Sequence, residues 1–112
     1  MMRSLILLSL GLLCAANPSP PQVVVYTYKP MEKGETNTLL CHAKEFNPPN
    51  IELQLYADGN PFSDANQTDL SFESNWKFKL TTFIELIPRE DVEYSCHVTH
   101  MGRTNIYKLE SF

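Results

Sequence analysis

The stretch Glu93-Tyr94-Ser95-Cys96-His97-Val98-Thr99-His100 decides how this chain of 112 residues folds. β-Branched and aromatic residues recur in it without an interrupting proline or glycine, which predicts a β-strand over residues 93–99. Cys96 lies in the middle of this strand, two positions after Tyr94. A second cysteine, Cys41, lies in the middle of another predicted strand, residues 36–44. Two cysteines placed in this way point to a bond between distant strands of one domain.

The start of the chain has the pattern of a processing signal. Arg3 gives a cationic start, residues 5–13 are apolar apart from a serine and a glycine, and Cys14-Ala15-Ala16 supplies small residues for cleavage. This pattern predicts a secretory signal peptide over residues 1–16 and one domain over residues 17–112. The apolar run is far shorter than the roughly 20 residues that span a bilayer. A lipid-modified Cys14 is less favoured, because the bulky Leu13 precedes it.

Cleavage removes Cys14 and leaves Cys41 and Cys96 as an even pair. Because a secreted chain meets an oxidising environment, these two cysteines are expected to form a disulfide. Parity puts Leu39 and Ala43 on the same face as Cys41, so this face is expected to be the core. Two free thiols are less favoured outside the cytosol, and no CxxC or HxxxH spacing supports a zinc site.

Further strands are predicted at residues 23–28, 51–56, 76–87 and 106–110, where β-branched or alternating residues lie between turn signals. Tyr94 occupies the tyrosine-corner position before the second cysteine of an immunoglobulin domain. The prediction is an all-β fold, a seven-stranded antiparallel immunoglobulin constant-type sandwich with one inter-sheet disulfide. Leu55 stands where an antibody domain has a core tryptophan, so the core is expected to be apolar without being antibody-like.

Strand parity leaves large side chains outside this core. Val23, Val25 and Leu39 are expected to point inward. The residues that then point outward on the first two strands are Val24, Tyr26, Tyr28, Leu40 and His42. Exposed aromatic residues clustered on one sheet are typical of a protein–protein interface. Spacing alone leaves the position of Trp76 open, because parity along its own strand also allows it to lie in the core.

Composition and charge exclude several functions. The formal net charge is −4 and no basic run is present, which argues against nucleic-acid binding. No later apolar stretch is long enough for membrane insertion. No nucleophile or carboxylate pair accompanies the histidines, and His97 and His100, three apart on a strand, face opposite sides. We therefore predict no catalytic residue, no cofactor and no metal site, and we do not expect an enzyme.

Motifs across residues 20–110 resemble a known family. Cys41, the Phe46-Asn47-Pro48 corner and the 94–100 stretch are shared by constant-type immunoglobulin domains in general. Leu55 and the segment Asp69-Leu70-Ser71-Phe72 followed by Trp76 are more specific. On these residues the chain resembles the beta-2-microglobulin family, the light chains of MHC class I molecules. The other matching residues are Val25-Tyr26, Pro30, Gly34, Ile51-Glu52-Leu53, Gly59 and Phe78.

The resemblance implies a secreted, non-catalytic subunit that binds an MHC class I heavy chain one to one, without a covalent bond, and stabilises it for peptide presentation at the cell surface. The contact residues that it implies are Tyr26, Asp69, Leu70, Phe72 and Trp76. Residues at contact positions that differ in type from mammalian members are Val24, Tyr28, His42 and Asn47. The alternative is another secreted constant-type module with a different receptor partner. That alternative predicts a tryptophan at position 55 and a further cysteine for covalent pairing, and the chain has neither.

Asn66-Gln67-Thr68 is a complete N-glycosylation sequon in a polar stretch, residues 63–69, that is expected to be turn-like. A glycan at Asn66 is expected to point away from the heavy chain.

Three departures from the mammalian pattern fit a non-mammalian vertebrate member. Glu45 stands where a glycine often precedes the Phe-x-Pro corner, the segment before Ile106 is shorter, and Leu109 replaces a late tryptophan. The last two departures concern the final hairpin and not the expected contact residues.

Overall fold

The computed structural model describes residues 18–73 and 75–109. The β segments in these ranges are β1 Gln22–Thr27, β2 Asn37–Phe46, β3 Ile51–Ala57, β4 Asn60–Pro61, β5 Asn66–Gln67, β6 Ser71–Glu73, β7 Lys77–Leu86, β8 Tyr94–His100 and β9 Arg103–Lys108. The predicted signal peptide over residues 1–16 lies outside the described residues, as does the predicted end of the last strand at residue 110.

The segments form two antiparallel sheets packed face to face. The first sheet has the order β1-β2-β7-β5, and β6 also pairs with β7. The second sheet has the order β4-β3-β8-β9. The chain changes sheet between β2 and β3, between β4 and β5 and between β7 and β8, so each sheet combines strands that are not all consecutive in the sequence. The predicted antiparallel sandwich is confirmed.

The number of segments is larger than the seven predicted strands. The described residues contain nine, because β4 is an additional two-residue strand and the edge of the first sheet is divided into β5 and β6. Gln67 pairs with Thr82 and Ser71 pairs with Lys79, so four steps along the edge match three along β7. An extra residue of this kind is a β-bulge, which bends the edge and re-aims its side chains.

Alternation builds the core as the sequence predicted. Leu39, Cys41 and Ala43 of β2 are buried, and they face buried residues of β3 and β8. The Cys41–Cys96 disulfide joins β2 of the first sheet to β8 of the second and is confirmed, with both residues fully buried. Leu55 is also fully buried, so a leucine fills the space that a tryptophan takes in antibody domains.

Glu45 takes a backbone conformation that is typical of glycine. Its φ of +59° is in the left-handed region, and the β2–β7 register shifts between Lys44 and Phe46 at the same point. This bulge turns Phe46 into the core, where its side chain is fully buried. The Glu45 carboxylate remains near the surface, 3.8 Å from the Nζ of Lys77. Glu45 therefore adopts the backbone conformation that a glycine would have at this corner, although a left-handed φ is less favourable for glutamate than for glycine.

The final hairpin is tighter than the sequence predicted. His100 pairs with Arg103, which leaves Met101 and Gly102 as a two-residue loop. Both loop residues have positive φ, +54° and +77°, as a type I′ turn requires. The predicted start of the last strand at residue 106 was therefore wrong, since pairing begins at Arg103 directly after the turn. Leu109 packs against the core, and its N–H donates to the carbonyl oxygen of Tyr94 at 2.9 Å.

Tyr94 forms the expected corner, and this contact yields a stability prediction. The backbone N–H of Arg89 donates to the Tyr94 hydroxyl at 3.1 Å, and the tyrosine ring is buried. Tyr94→Phe removes the acceptor and leaves that N–H unpaired, so we expect the free energy of unfolding to fall by about 0.5–1.5 kcal/mol. Urea denaturation measures this loss. Tyr28→Phe, at a highly exposed tyrosine, is the matched control, and equal losses in both variants would contradict the role of the corner.

Candidate protein interface

The outer face of the first sheet, formed by the outward side chains of β1, β2 and β7, carries apolar and aromatic residues. Two cross-strand rows cover its centre. One row joins Val24, His42 and Thr81, and the next joins Tyr26, Leu40 and Phe83. Val24 and Tyr26 lie on β1, which is an edge strand paired only with β2, and both remain exposed. The parity prediction for β1 and β2 is confirmed.

Polar residues border this apolar centre on the side of the Trp76 turn. Lys44 pairs with Lys79 across β2 and β7, so two positive charges stand side by side. The Nζ of Lys79 lies 3.9 Å from a Glu73 carboxylate oxygen, which offsets part of that charge. The outer face therefore combines an apolar centre with a charged border, the arrangement of a typical interface core and rim.

His42 is half-buried in the middle of the outer face. Its Nδ1 shares a hydrogen bond of 2.6 Å with the hydroxyl oxygen of Thr81. Burial lowers the pKa of the imidazole below its usual value, and the positive charges of Lys44 and Lys79 lower it further. The carboxylate of Glu73 opposes this shift. His42 is therefore held in its neutral form near neutral pH.

This pKa shift predicts how stability depends on pH. The unfolded chain binds a proton at His42 more readily than the folded chain does, so the free energy of unfolding falls as pH drops through about 6.5, the unfolded pKa. The loss continues until the pH is below the lowered pKa of the folded state. His42→Gln removes this contribution, so its stability should change less between pH 7 and 5 than that of the native chain. Denaturant titrations across this pH range test the prediction, and identical pH slopes would contradict it.

Trp76 lies at the turn between β6 and β7. Its side chain is 76% exposed and its φ is +63°, and the preceding Asn75 also has positive φ. Asparagine adopts this conformation readily, whereas a bulky tryptophan does so at a cost. Because this turn precedes the regular part of β7, the alternation that buries Leu80 does not extend back to Trp76. The core position that parity allowed for Trp76 is wrong.

A series of aromatic rings connects Trp76 to the core. The Trp76 and Phe72 ring centroids are 5.9 Å apart with a tilt of 66°, and the Phe72 and Phe78 centroids are 5.3 Å apart. Phe78 in turn lies 6.3 Å from the fully buried Phe46. Edge-to-face and tilted contacts of this kind are favourable for aromatic pairs. The exposed indole is therefore connected to the buried core through packed aromatic rings.

The bulge between β5 and β6 presents Asp69 and Leu70 beside this turn. Both side chains are exposed, and they precede Ser71, where regular pairing with β7 resumes. An exposed carboxylate beside apolar groups offers a hydrogen-bond acceptor to a partner. We call the surface formed by Asp69, Leu70, Phe72 and Trp76 the aromatic rim.

The remaining predicted contact residues lie in separate places. Tyr28 follows β1 at the end of the sheet opposite the aromatic rim and is almost fully exposed. Asn47 lies in the corner after β2, where its backbone exchanges hydrogen bonds with Ser19 at 2.8 and 3.0 Å. The structure thus brings Val24, Tyr26 and His42 together on the outer face but leaves Tyr28 and Asn47 at its margins.

The predicted glycosylation sequon is in a strand and not in a turn. Asn66 belongs to β5 and pairs with Phe83. Paired residues of adjacent strands point to the same side, so Asn66 belongs to the row of Tyr26, Leu40 and Phe83. The expectation that a glycan at Asn66 points away from the heavy chain therefore holds only if the heavy chain binds another face of the domain.

Sequence analysis missed Thr81 and Phe83, which complete the centre of the outer face. A signal for them was present, because Leu80, Thr82 and Ile84 are the buried residues of β7 and the intervening positions must face outward. Thr81 and Phe83 follow from this parity wherever Trp76 lies.

The second sheet also exposes apolar residues. Ile106 is 57% exposed on β9, and Met101 lies in the last turn. His97 stacks on Tyr56 with ring centroids 3.8 Å apart. His100 faces the other way and is buried, with its Nε2–H donated to the carbonyl oxygen of Pro48 at 2.9 Å. These two histidines therefore have packing partners on opposite faces of their strand.

Two kinds of feature are absent from residues 18–73 and 75–109. Within these ranges no group of three or more His, Cys, Asp or Glu side chains is arranged to hold a metal ion. Among the same residues no helix has the length and apolar character needed to cross a membrane.

The two sheets, the disulfide between them and the tyrosine corner define an immunoglobulin constant-type domain. The immunoglobulin C1-set domain family matches residues 23–103. The chain is 84% identical to the beta-2-microglobulin of Rostroraja eglanteria over 99% of its own length and 100% of the relative. It is 46% identical to that of Paralichthys olivaceus, over 91% and 90% of the two chains, and 41% identical to that of Sigmodon hispidus, over 87% and 81%. Within the C1-set domains, the chain belongs to the beta-2-microglobulin family.

Proposed function

We propose that this chain is the light chain of an MHC class I molecule, and that it binds the heavy chain through the outer face of its first sheet and the aromatic rim. The complex contains one copy of each chain and is held without a covalent bond. The contact residues in this proposal are Val24, Tyr26, Tyr28, His42, Asn47, Asp69, Leu70, Phe72 and Trp76.

The exposed position of Trp76 is the observation that carries the proposal. In the free domain Trp76 is 76% exposed, so its indole gains little from burial. Its left-handed backbone conformation is also unfavourable for a bulky residue. Packing on Phe72 keeps the indole ordered, so little side-chain entropy remains to be lost on binding. These are the properties of an interface anchor, since tryptophans in desolvated pockets contribute most to binding energy.

The outer face adds area and selectivity around that anchor. Val24 and Tyr26 supply apolar surface next to the half-buried Leu40 and Phe83. The Asp69 carboxylate accepts hydrogen bonds or an ion pair from the heavy chain, and such contacts contribute specificity as much as affinity. Binding of this kind stabilises the heavy chain by mass action, because only its folded form offers the complementary surface.

In this proposal the chain reaches its partner through the secretory pathway. Residues 1–16 direct it into the secretory pathway and are removed there, and residues 17–112 form the mature chain. The mature chain is secreted and is retained at the cell surface through the heavy chain, where the complex presents peptide. It has no catalytic role in this complex.

Co-refolding tests the proposal. Residues 17–112 are refolded with the ectodomain of an MHC class I heavy chain from the same source and a peptide that this heavy chain binds. Size-exclusion chromatography with mass determination should show a one-to-one complex that survives without covalent linkage and forms only when both chains are present. A folded monomer that ignores the heavy chain would withdraw the proposal and favour a secreted immunoglobulin module with another receptor partner.

A further inference from the structure

The sequon Asn66-Gln67-Thr68 lies at the free edge of the first sheet. Asn66 is exposed and is the fourth member of the cross-strand row that contains Tyr26, Leu40 and Phe83. Neighbouring strands are about 4.8 Å apart, so Asn66 stands about 14 Å from Tyr26 on the same face. Asn66 is also only three residues before Asp69 of the aromatic rim. Any large group on its side chain therefore borders both parts of the proposed docking surface.

Once the domain is folded, its sequon is not accessible for attachment of a glycan. The Thr68 hydroxyl oxygen accepts the backbone N–H of Thr81 at 3.1 Å, and the Thr68 N–H donates to the Thr81 carbonyl oxygen at 2.9 Å. The Thr82 hydroxyl donates to the carbonyl oxygen of Asn66 at 3.0 Å. The sequon needs its threonine hydroxyl and an accessible backbone, and both are engaged once β5 pairs with β7. A glycan must therefore be attached before this pairing forms.

The time available for attachment is short. Thr81 follows Thr68 by only 13 residues, so the partner segment enters the same compartment soon after the sequon. At a synthesis rate of about 5–20 residues per second this delay is on the order of one second. Attachment and pairing therefore compete, which predicts that only part of the secreted chain is modified.

We propose that Asn66 is N-glycosylated on a fraction of the secreted chains, and that the glycan prevents docking to the heavy chain. This inference rests on the proposed function. In the transfer, the Asn66 side-chain nitrogen attacks C1 of an oligosaccharide linked to a lipid diphosphate. The new C1–N bond replaces the C1–O bond, the lipid diphosphate leaves, and the amide proton passes to a base of the transferase. The secreted chain then consists of a docking-competent form without the glycan and a free form that carries it.

The test measures the glycan separately in two pools. The full chain is expressed in vertebrate cells together with a tagged heavy chain, and bound and free light chain are recovered separately. Intact mass before and after treatment with peptide N-glycosidase gives the modified fraction in each pool. We expect the modified form in the free pool and at least a ten-fold lower modified fraction in the bound pool. Equal fractions in the two pools, or no mass change in either, would overturn the inference.

Two variants control for the position of the glycan. Asn66→Gln removes the attachment site but keeps the backbone pairing, so all of this chain should bind the heavy chain. Adding R89N and D91T to it moves the sequon to an exposed loop at the opposite end of the sandwich from Trp76. Chains glycosylated there should bind as well as unmodified ones. Loss of binding in both glycosylated forms would overturn the positional effect that we infer.

The same variants separate the two proposals. If the unglycosylated Asn66→Gln chain does not bind the heavy chain, the proposed function fails. If that chain binds and the native glycosylated form binds equally well, only the inference about the glycan fails. Enzymatic removal of the glycan from the free pool gives an independent reading, because heavy-chain binding should then rise by at least ten-fold.

Discussion

Replacing Cys41 and Cys96 together by alanine is expected to lower the free energy of unfolding by about 2–5 kcal/mol. The bond closes a loop with a sequence separation of 55, for which chain entropy alone predicts about 4 kcal/mol. Both cysteines are fully buried between the sheets, so the variant also loses packing at the centre of the core. Because small domains have only about 5–15 kcal/mol of stability, a substantial fraction of the variant should unfold at moderate temperature.

Guanidinium denaturation of the native chain and the double variant, each with and without a reductant, measures this effect. The native chain should lose stability when it is reduced, whereas the double variant should be insensitive to the reductant. An unchanged denaturation midpoint in the double variant would contradict the stabilising role of the disulfide.

Trp76→Ala is expected to weaken heavy-chain association by about 2 kcal/mol or more, which is roughly a 30-fold rise in Kd. The reason is that the indole is exposed in the free domain and available to fill a pocket of the partner. The isolated domain should keep its stability to within about 0.5 kcal/mol, because the side chain contributes little to the folded monomer. Titration of immobilised heavy-chain ectodomain with peptide measures the affinity, and thermal unfolding of the free chain measures the stability.

Ile106→Ala is the matched control for Trp76→Ala. Ile106 is also a large exposed apolar residue, at 57%, but it lies on the second sheet. Its replacement should leave heavy-chain affinity unchanged. Equal losses in the two variants would remove the aromatic rim from the interface, and unfolding of the Trp76→Ala domain would return the tryptophan to a structural role.

Much of the fold could be predicted because local pattern and global structure agree. Alternation in β2 and β3 identified which side chains are buried, and the even cysteine pair that the predicted signal cleavage leaves identified the disulfide. The same alternation identified Val24, Tyr26 and His42 as outward residues. The predictions of buried and outward side chains depend only on the two-residue period of a strand, which holds wherever the strand is regular.

The features that strand parity alone could not place are those at which the two-residue period is interrupted. Positive φ at Asn75 and Trp76 ends the alternation of β7, so parity could not decide where the tryptophan lies. A register shift between Gln67 and Ser71 presents Asp69 and Leu70, and nothing in the local composition reveals it. The same cause hid the position of Asn66, because its face is fixed by pairing with β7 and not by neighbours in the sequence.

The most direct test of the account is to map which sheet the heavy chain covers, by hydrogen–deuterium exchange of the light chain alone and in the complex. We expect slower exchange in edge strand β1, in the bulge at Asp69 and Leu70 and in the β6–β7 turn that carries Trp76. Exchange in β9 and the Met101-Gly102 turn should be unchanged. Protection confined to β4 and β9 of the second sheet, with the Trp76 turn unaffected, would contradict the proposed docking surface.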